Sequence, residues 1–475
     1  MQLSSIHWGD DNAEKDPDIL KYFVSNASLQ RLQTLSTNIV VGRKGSGKSA
    51  IRKKLVAGFE GSRDAVVIQM NNKFSVLKGI TNDHDITENF NDELFFQYIW
   101  LRHLCRQGLI SFGQSSNSDN TNVSVKFALG LARENDLQEK SLLEDAVDML
   151  GKIKIKAGKI GELGLHDDKE LRNHSELEVF EYHIINIVAL GYKIVWLIDD
   201  LDLGWNNSKV SNNFLLGLIH AANYLKTLSQ NLHIIIFLRE DVYSLLMSKT
   251  QHSDKFRDIE RLRWTKDGLL SVLKARIAHN YESKGMPVPE NEFLSVFPEN
   301  VGSANAVDWL IERTLSRPRE LIQYAKHYTK NCDKDNPDME SLLKAEVDYS
   351  NWKLEDLCTE YINQYPDLQI IFANWKVRHS RAKYHFTRKE IEELLLELIA
   401  ESDIDHPWFK RISEKTDTLQ LLKILYEIGF LGDFILGERG RSKVYYSFSN
   451  VHQPTFGEIE IHPCFRKAID ILEKT

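Results

Sequence analysis

The chain has 475 residues, 42% hydrophobic and 27% charged, with a formal net charge of −8. This is the composition of an ordinary soluble globular protein, long enough for two to four domains of ~100–200 residues each, and its acidity argues against a protein that coats nucleic acid with its whole surface. Cys105, Cys332, Cys358 and Cys464 form no CxxC pair, so neither a zinc site nor a disulfide framework is expected. No apolar run approaches the ~20 residues of a membrane span, and the N-terminus lacks the basic and apolar regions of an export signal. A cytoplasmic protein without a membrane partner is the expectation.

Residues 1–37 are acidic and polar, with a helical stretch near Ile19–Val24. The apolar run Ile39-Val40-Val41 reads as a strand, and Ala50–Val56 as a helix. Between them lies Gly42-Arg43-Lys44-Gly45-Ser46-Gly47-Lys48-Ser49, which fits GxxxxGK[ST] at every required position. Strand, glycine-rich loop and helix in that order form a phosphate-binding loop, whose successive N–H groups and helix N-terminus face an anion. A second strand is expected at Ala65–Met70 and an amphipathic helix over Asp92–Gln107, followed by a polar loop at Gly113–Asn122. Residues 123–175 read as an insertion, in which Lys152-Ile153-Lys154-Ile155-Lys156 alternates as a strand with a charged face, solvated by preference over a nucleic-acid contact.

The core resumes with a helix at Glu176–Leu190 and the strand Lys193–Asp199. A helix at Asn213–Leu228 and the strand Leu232–Leu238 follow. Short apolar runs between helices are the mark of strands buried on both faces of a parallel sheet, and they give a doubly wound α/β core. Residues 251–350 read as mostly helical, with a helix opening at Ser316-Arg317-Pro318. Thr387-Arg388-Lys389-Glu390 is a capping box. Thr418–Ile428 reads as another helix, and Phe430–Leu436 and Val444–Ser449 as strands joined by the basic turn 437–443. That order is the order of a winged helix. The expected domains are a phosphate-loop NTPase core over 1–250 with an insertion at about 113–175, a helical lid over 251–350, and a winged-helix-like domain over 351–475.

In the loop, Lys48 would reach the β- and γ-phosphates and Ser49 would hold Mg²⁺. Gly42 to Ser49 and the following Ala50 are assigned to the nucleotide. Asp199 and Asp200 close an apolar strand, so Asp199 is the expected second metal ligand and Asp200 the residue that polarises the attacking water. Asp202 is assigned to a neighbouring helix or loop. Arg239, at the end of the next strand, and Arg317 and Arg319, in the helical segment, are candidate sensors of the γ-phosphate, against the alternative of surface ion pairs. Arg257, Arg261 and Arg263 are candidates for an arginine acting in trans, with a solvated charged face as the stronger alternative. Basic clusters at Arg378–Lys383 and Arg439–Lys443 either meet nucleic-acid phosphates or sit on a domain that packs as a regulatory lever; the lever is preferred.

GRKGSGKSA, WLIDDLD, IIIFLRED, the LRW at Leu262–Trp264 and SRPREL resemble P-loop ATPases of the STAND and AAA+ type. Within that group the chain most resembles a bacterial family usually given only the generic name P-loop ATPase, also at Trp8–Ala13 and at Ile19–Phe23. The resemblance implies ATP with Mg²⁺, since no guanine motif follows the core strands. It implies nucleotide-dependent homo-oligomerisation as a switch and a role in antiphage defence with an effector protein encoded separately, because the chain shows no nuclease, TIR or protease motif. Asp200 stands where AAA+ proteins usually carry Glu, which implies slow hydrolysis. A rival reading is an initiator- or loader-like ATPase whose winged helix grips DNA; a third is a degenerate nucleotide binder.

Overall fold

A computed structural model describes residues 2–71, 78–80, 82, 92–116, 121–137, 142, 176–250, 258–332, 336–437, 442–448 and 453–473. The chain divides into two units, one of Ser25–Arg43 and Lys48–Leu262, the other of Met1–Val24, Lys44–Gly47 and Arg263–Thr475. The strand expected at Lys152–Lys156, Arg257, and Arg439 with Arg441 of the basic turn lie outside the described residues.

The first unit carries α1 (Ala27–Gln33), β1 (Ile39–Gly42), α2 (Lys48–Phe59), β2 (Ala65–Asn71), α3 (Glu93–Ser115), α4 (Val123–Leu137), α5 (Leu177–Ala189), β3 (Lys193–Asp199), α6 (Lys209–Leu228), β4 (Leu232–Arg239), α7 (Glu240–Lys249) and β5 (Ile259–Arg261). The strands form one parallel sheet in the order β2-β3-β4-β1-β5. β1 is buried along its whole length and β3 along all but its first residue, so these β-branched runs are covered on both faces. Gly42 is in register with Arg239, and Asn71 with Asp199, which brings the strand ends that carry the motifs to one edge of the sheet.

Helix α3 outruns its expected end: Leu109, Ile110 and Phe112 continue its buried side, so Gly113–Ser115, expected in a loop, are helical. Its start is capped by the Asp92 carboxylate, which accepts from the Phe95 amide at 2.7 Å. α4, within the expected insertion, packs on α3 and α5. β5 was not expected. It is a three-residue edge strand, and Glu260 on it is held by Arg31 at 2.6 Å and by the Ser28 hydroxyl at 2.6 Å.

The second unit continues with α8 (Lys266–Ser283), β6 (Asn300–Val301), β7 (Ala304–Asn305), α9 (Ala306–Glu312), α10 (Pro318–Asn331), α11 (Met339–Glu360), α12 (Leu368–His379), β8 (His385–Thr387), α13 (Arg388–Glu401), α14 (Pro407–Lys415), α15 (Thr418–Glu427), β9 (Leu431–Leu436), β10 (Ser442–Tyr445), β11 (Glu458–Ile461) and α16 (Pro463–Arg466). β10-β9-β11-β8 form an antiparallel sheet. The capping box is present, with the Thr387 amide donating to Glu390 at 2.9 Å. β8 and β11 add two strands to the expected pair.

The expected lid and C-terminal domain share one hydrophobic cluster, running from Leu3 to Ile471. Ser350 of α11 donates to the Cys464 carbonyl at 2.7 Å and accepts from the Ala468 amide at 2.9 Å. Arg313 bridges Glu346 at 2.5 Å and Glu473 at 3.0 Å. The N-terminal residues, expected with the NTPase core, belong to this unit. The Trp8 indole donates to Thr329 at 3.0 Å, and Asn280 exchanges two 2.8 Å hydrogen bonds with the backbone of His7. Ile19–Val24 is not a helix: residues 19–21 form a turn, and Asp16 accepts from the Asp18 amide at 3.1 Å and the Tyr22 hydroxyl at 2.5 Å, local bonds that compete with helix.

Candidate nucleotide site

In the first unit the loop ends on α2, whose first residues are Lys48, Ser49 and Ala50. Lys48 Nζ donates to the carbonyls of Gly42 at 2.8 Å and Arg43 at 3.3 Å, which folds the lysine back over the start of the loop. Burial of its ammonium group lowers its pKa. The Asp199 and Asp202 carboxylates oppose that shift, Arg239 adds to it, and Asp241 opposes it. Ser49 Oγ donates to Asp199 Oδ2 at 3.0 Å, so the two expected metal ligands meet across 150 residues of sequence. Asp199 is 4% exposed. Burial pushes its pKa up, against the pull of Lys48, the Asp200 amide, Arg52 and Ser49.

A hydroxyl and a carboxylate at this spacing are the hard oxygen donors that Mg²⁺ takes in ones and twos while keeping several waters. Lys48 stands beside them as the counter-charge for a polyphosphate. The residues present therefore fit Mg²⁺ and a nucleotide phosphate tail.

Asp200 follows β3 directly, in the left-handed region with φ 59°, its amide donating to Asp199 Oδ1 at 2.9 Å. An aspartate tolerates this conformation because its short polar side chain can bond locally. Arg239 is paired with Asp241 at 2.7 Å and with Asp202 at 3.5 Å, so Asp202 finds its partner at the neighbouring strand end. Arg261 reaches Glu240 at 3.0 Å and lies over Tyr243.

Sequence reasoning missed Arg52. One turn into α2 and 1% exposed, it donates to Gln69 at 2.9 Å and stands 3.6 Å from Asp199 Oδ2. The signal was available, since position i+3 from Ser49 lies on the same face of the helix.

Lys44–Gly47 belong to the second unit. Arg317 is 2% exposed and donates to the Lys44 carbonyl at 2.7 Å, while Glu360 at 2.8 Å and Glu320 at 3.3 Å hold its guanidinium. Those two carboxylates outweigh the cost of its burial and raise its pKa. The Arg319 amide approaches the Gly45 carbonyl at 3.4 Å, and its side chain pairs with Asp356 at 3.4 Å beside Trp352. Lys44 also pairs with Asp356 at 3.0 Å, and the fully buried Lys353 joins Glu320 to Asp356. The Trp264 indole donates to the Ser46 carbonyl at 2.8 Å. Gly45 and Gly47 have φ of +80° and +96°, conformations that side chains resist. Arg263 donates to the Phe448 carbonyl at 2.8 Å, a tie within its own unit. Trp264 was singled out only as part of the LRW motif, and neither its bond to the loop nor the acid cluster on α11 was expected. A partner that is a backbone carbonyl leaves no pattern in the sequence.

A model of the FunZ-associated C-terminal helical domain matches residues 267–358. The chain is 23% identical, over a 484-residue alignment, to the putative transposon gamma-delta 80.3 kDa protein of Escherichia coli K12. That alignment covers 96% of this chain, which spans 66% of the length of that relative. Among solved structures, the chain is similar to the Aeropyrum pernix ORC2 protein in its ADPNP-ADP complexes, with 11% identity, a TM-score of 0.38, and 96% of each chain covered. It is also similar to Cdc6p from Pyrobaculum aerophilum, with 12% identity, a TM-score of 0.33, and 96% and 97% of the two chains covered.

Proposed function

We propose that this chain is a switch ATPase that binds Mg·ATP at Gly42–Ser49, hydrolyses it slowly, and self-assembles with nucleotide to control a separate effector protein. The observation that carries the reading is the 3.0 Å contact between Ser49 and Asp199, with Lys48 beside it. Bound Mg²⁺ would neutralise charge on the phosphates. Lys48 binds the phosphate tail, and Asp200 orients the attacking water. Arg239, freed from Asp202 and Asp241, reads the γ-phosphate, and Arg319 is the other candidate sensor. A role in antiphage defence rests on the motif resemblance.

The test is phosphate release by the purified chain, with sedimentation in the presence and absence of ATP. Lys48→Ala and Asp200→Asn are expected to abolish turnover, and the wild type to grow in size with ATP. Unchanged turnover in both variants refutes the ATPase. A monomer at every concentration refutes the switch.

One observation keeps the DNA-gripping loader as a second reading: the curated relative is named for a transposon. The order α12-β8-α13-α14-α15-β9-β10 supports assigning the C-terminal part as a winged helix. Among the described residues, ion pairing of four of its basic groups supports the lever rather than the loader. Arg378, Lys383, Arg388 and Lys389 are paired with Glu401, Glu390, Glu392 and Glu393, and α15 has Lys423 between Asp417 and Glu427. Duplex affinity falling steeply with salt would reverse that preference.

A further inference from the structure

Three consecutive carbonyls of the loop are engaged within the second unit. Lys44 O accepts from Arg317 Nη1 at 2.7 Å, Gly45 O faces the Arg319 amide at 3.4 Å, and Ser46 O accepts from Trp264 Nε1 at 2.8 Å. The peptide bonds are trans, since the chain has no cis bond among its described residues. In a trans peptide the N–H of the next residue points opposite to the carbonyl. Fixing the carbonyls of residues 44, 45 and 46 therefore fixes the N–H groups of Gly45, Ser46 and Gly47 on the other side of the loop. Successive N–H groups turned one way make a concavity for an anion.

We propose that Trp264 and Arg317 are positioning residues for phosphate binding, holding the loop amides in place through the carbonyls opposite them. The inference rests on the nucleotide reading; it adds Trp264 and gives Arg317, a sensor candidate from the sequence, a different role. Arg317 is itself fixed: Glu360 takes its Nη1, and Glu320 stands 3.3 Å from its Nε. It serves the loop backbone, which separates its role from that of an arginine that reads the γ-phosphate. The Trp264 ring lies 3.8 Å from where a side chain on Gly47 would begin, so ring and loop are in van der Waals range as well.

A γ-phosphate sensor discriminates ATP from ADP, whereas a residue that shapes the loop affects both alike. Trp264→Phe keeps an aromatic ring and deletes the indole N–H. Titration calorimetry is expected to show ATP and ADP affinities both falling roughly fivefold, the net effect of one hydrogen bond. Their ratio and the binding stoichiometry stay at wild-type values, KM rises, and kcat is retained. Arg317→Lys keeps the charge beside Glu360 and shortens the reach to Lys44 O; it gives the same pattern. Wild-type affinity in both variants overturns the proposal. So does a drop in stoichiometry with affinity unchanged, which would mark a purely structural role. A shift confined to ATP assigns them to γ-phosphate sensing and overturns it too. A wild-type chain that binds neither nucleotide overturns the nucleotide reading along with this one.

Discussion

Gly45→Ala tests whether the shape of the loop, rather than its charge, sets nucleotide affinity. Gly45 sits at φ +80°, and a Cβ there would lie 2.9 Å from Arg319 Cβ and 3.1 Å from Arg319 Cδ. The left-handed conformation costs an alanine about 1–2 kcal/mol. The contact with Arg319 adds about 1–2 kcal/mol, in the lower part of the range for overpacking. The free loop relieves this strain by moving, and binding must restore it. The penalty of about 2–4 kcal/mol then falls on affinity, roughly 30- to 700-fold at 1.4 kcal/mol per decade. Gly61→Ala is the control. Its φ of +81° carries the same conformational strain, but nothing lies within 4 Å of the added carbon. It is expected to lower unfolding free energy by about 1 kcal/mol and leave ATP affinity unchanged. Calorimetric titration of ATP into both variants, with denaturant unfolding alongside, separates the two effects. An ATP affinity for Gly45→Ala within threefold of wild type refutes the reasoning, because the loop would then bind phosphate in some other shape.

Asp199→Asn and Ser49→Ala should each raise the Mg²⁺ concentration needed for half-maximal turnover, read from initial rates across a magnesium series; unchanged magnesium dependence in both removes them from the metal shell. Arg52→Met should lower unfolding free energy by about 2 kcal/mol in urea, since the Gln69 carbonyl and the buried Asp199 each lose a cationic partner. Glu390 is held down to about 2 by Lys383 and by the Thr387 amide and hydroxyl, against 4.5 for the ordinary group. A depressed carboxyl stabilises the fold above its unfolded pKa, and that contribution disappears as pH falls from about 4.5 towards 2. Glu390→Gln should therefore be less stable than wild type at neutral pH and approach it in acid. A stability gap that stays constant with pH contradicts the assignment.

The parts of the site legible in sequence are those whose meaning is local. Gly42–Ser49 announces itself through spacing alone, and β3 through six consecutive buried residues that end in an acid. Pairing Ser49 with Asp199 needed only the rule that a phosphate loop and an acidic strand end share a metal. The rest escaped for reasons that differ. β5 is three residues long, and its Glu260 is neutralised by Arg31 from α1, so neither alternation nor hydrophobicity marks it. The lid and the C-terminal part were read as separate because their hydrophobic patterns change near residue 365. They share one hydrophobic cluster, and Ser350 and Arg313 bond to Cys464 and Glu473, 114 and 160 residues away. The loop shows the limit most clearly. Its glycines are required by φ values that the motif predicts, yet its shape is also tied to Trp264 and Arg317, which lie 218 and 273 residues along the chain from their partners. The motif therefore specifies a backbone that can bind phosphate, while the two residues proposed to hold that backbone in shape stand in the LRW and SRPREL segments, far along the chain from the loop. On that proposal, changes at Trp264 or Arg317 tune nucleotide affinity without touching Gly42–Ser49, through the carbonyl side of the loop.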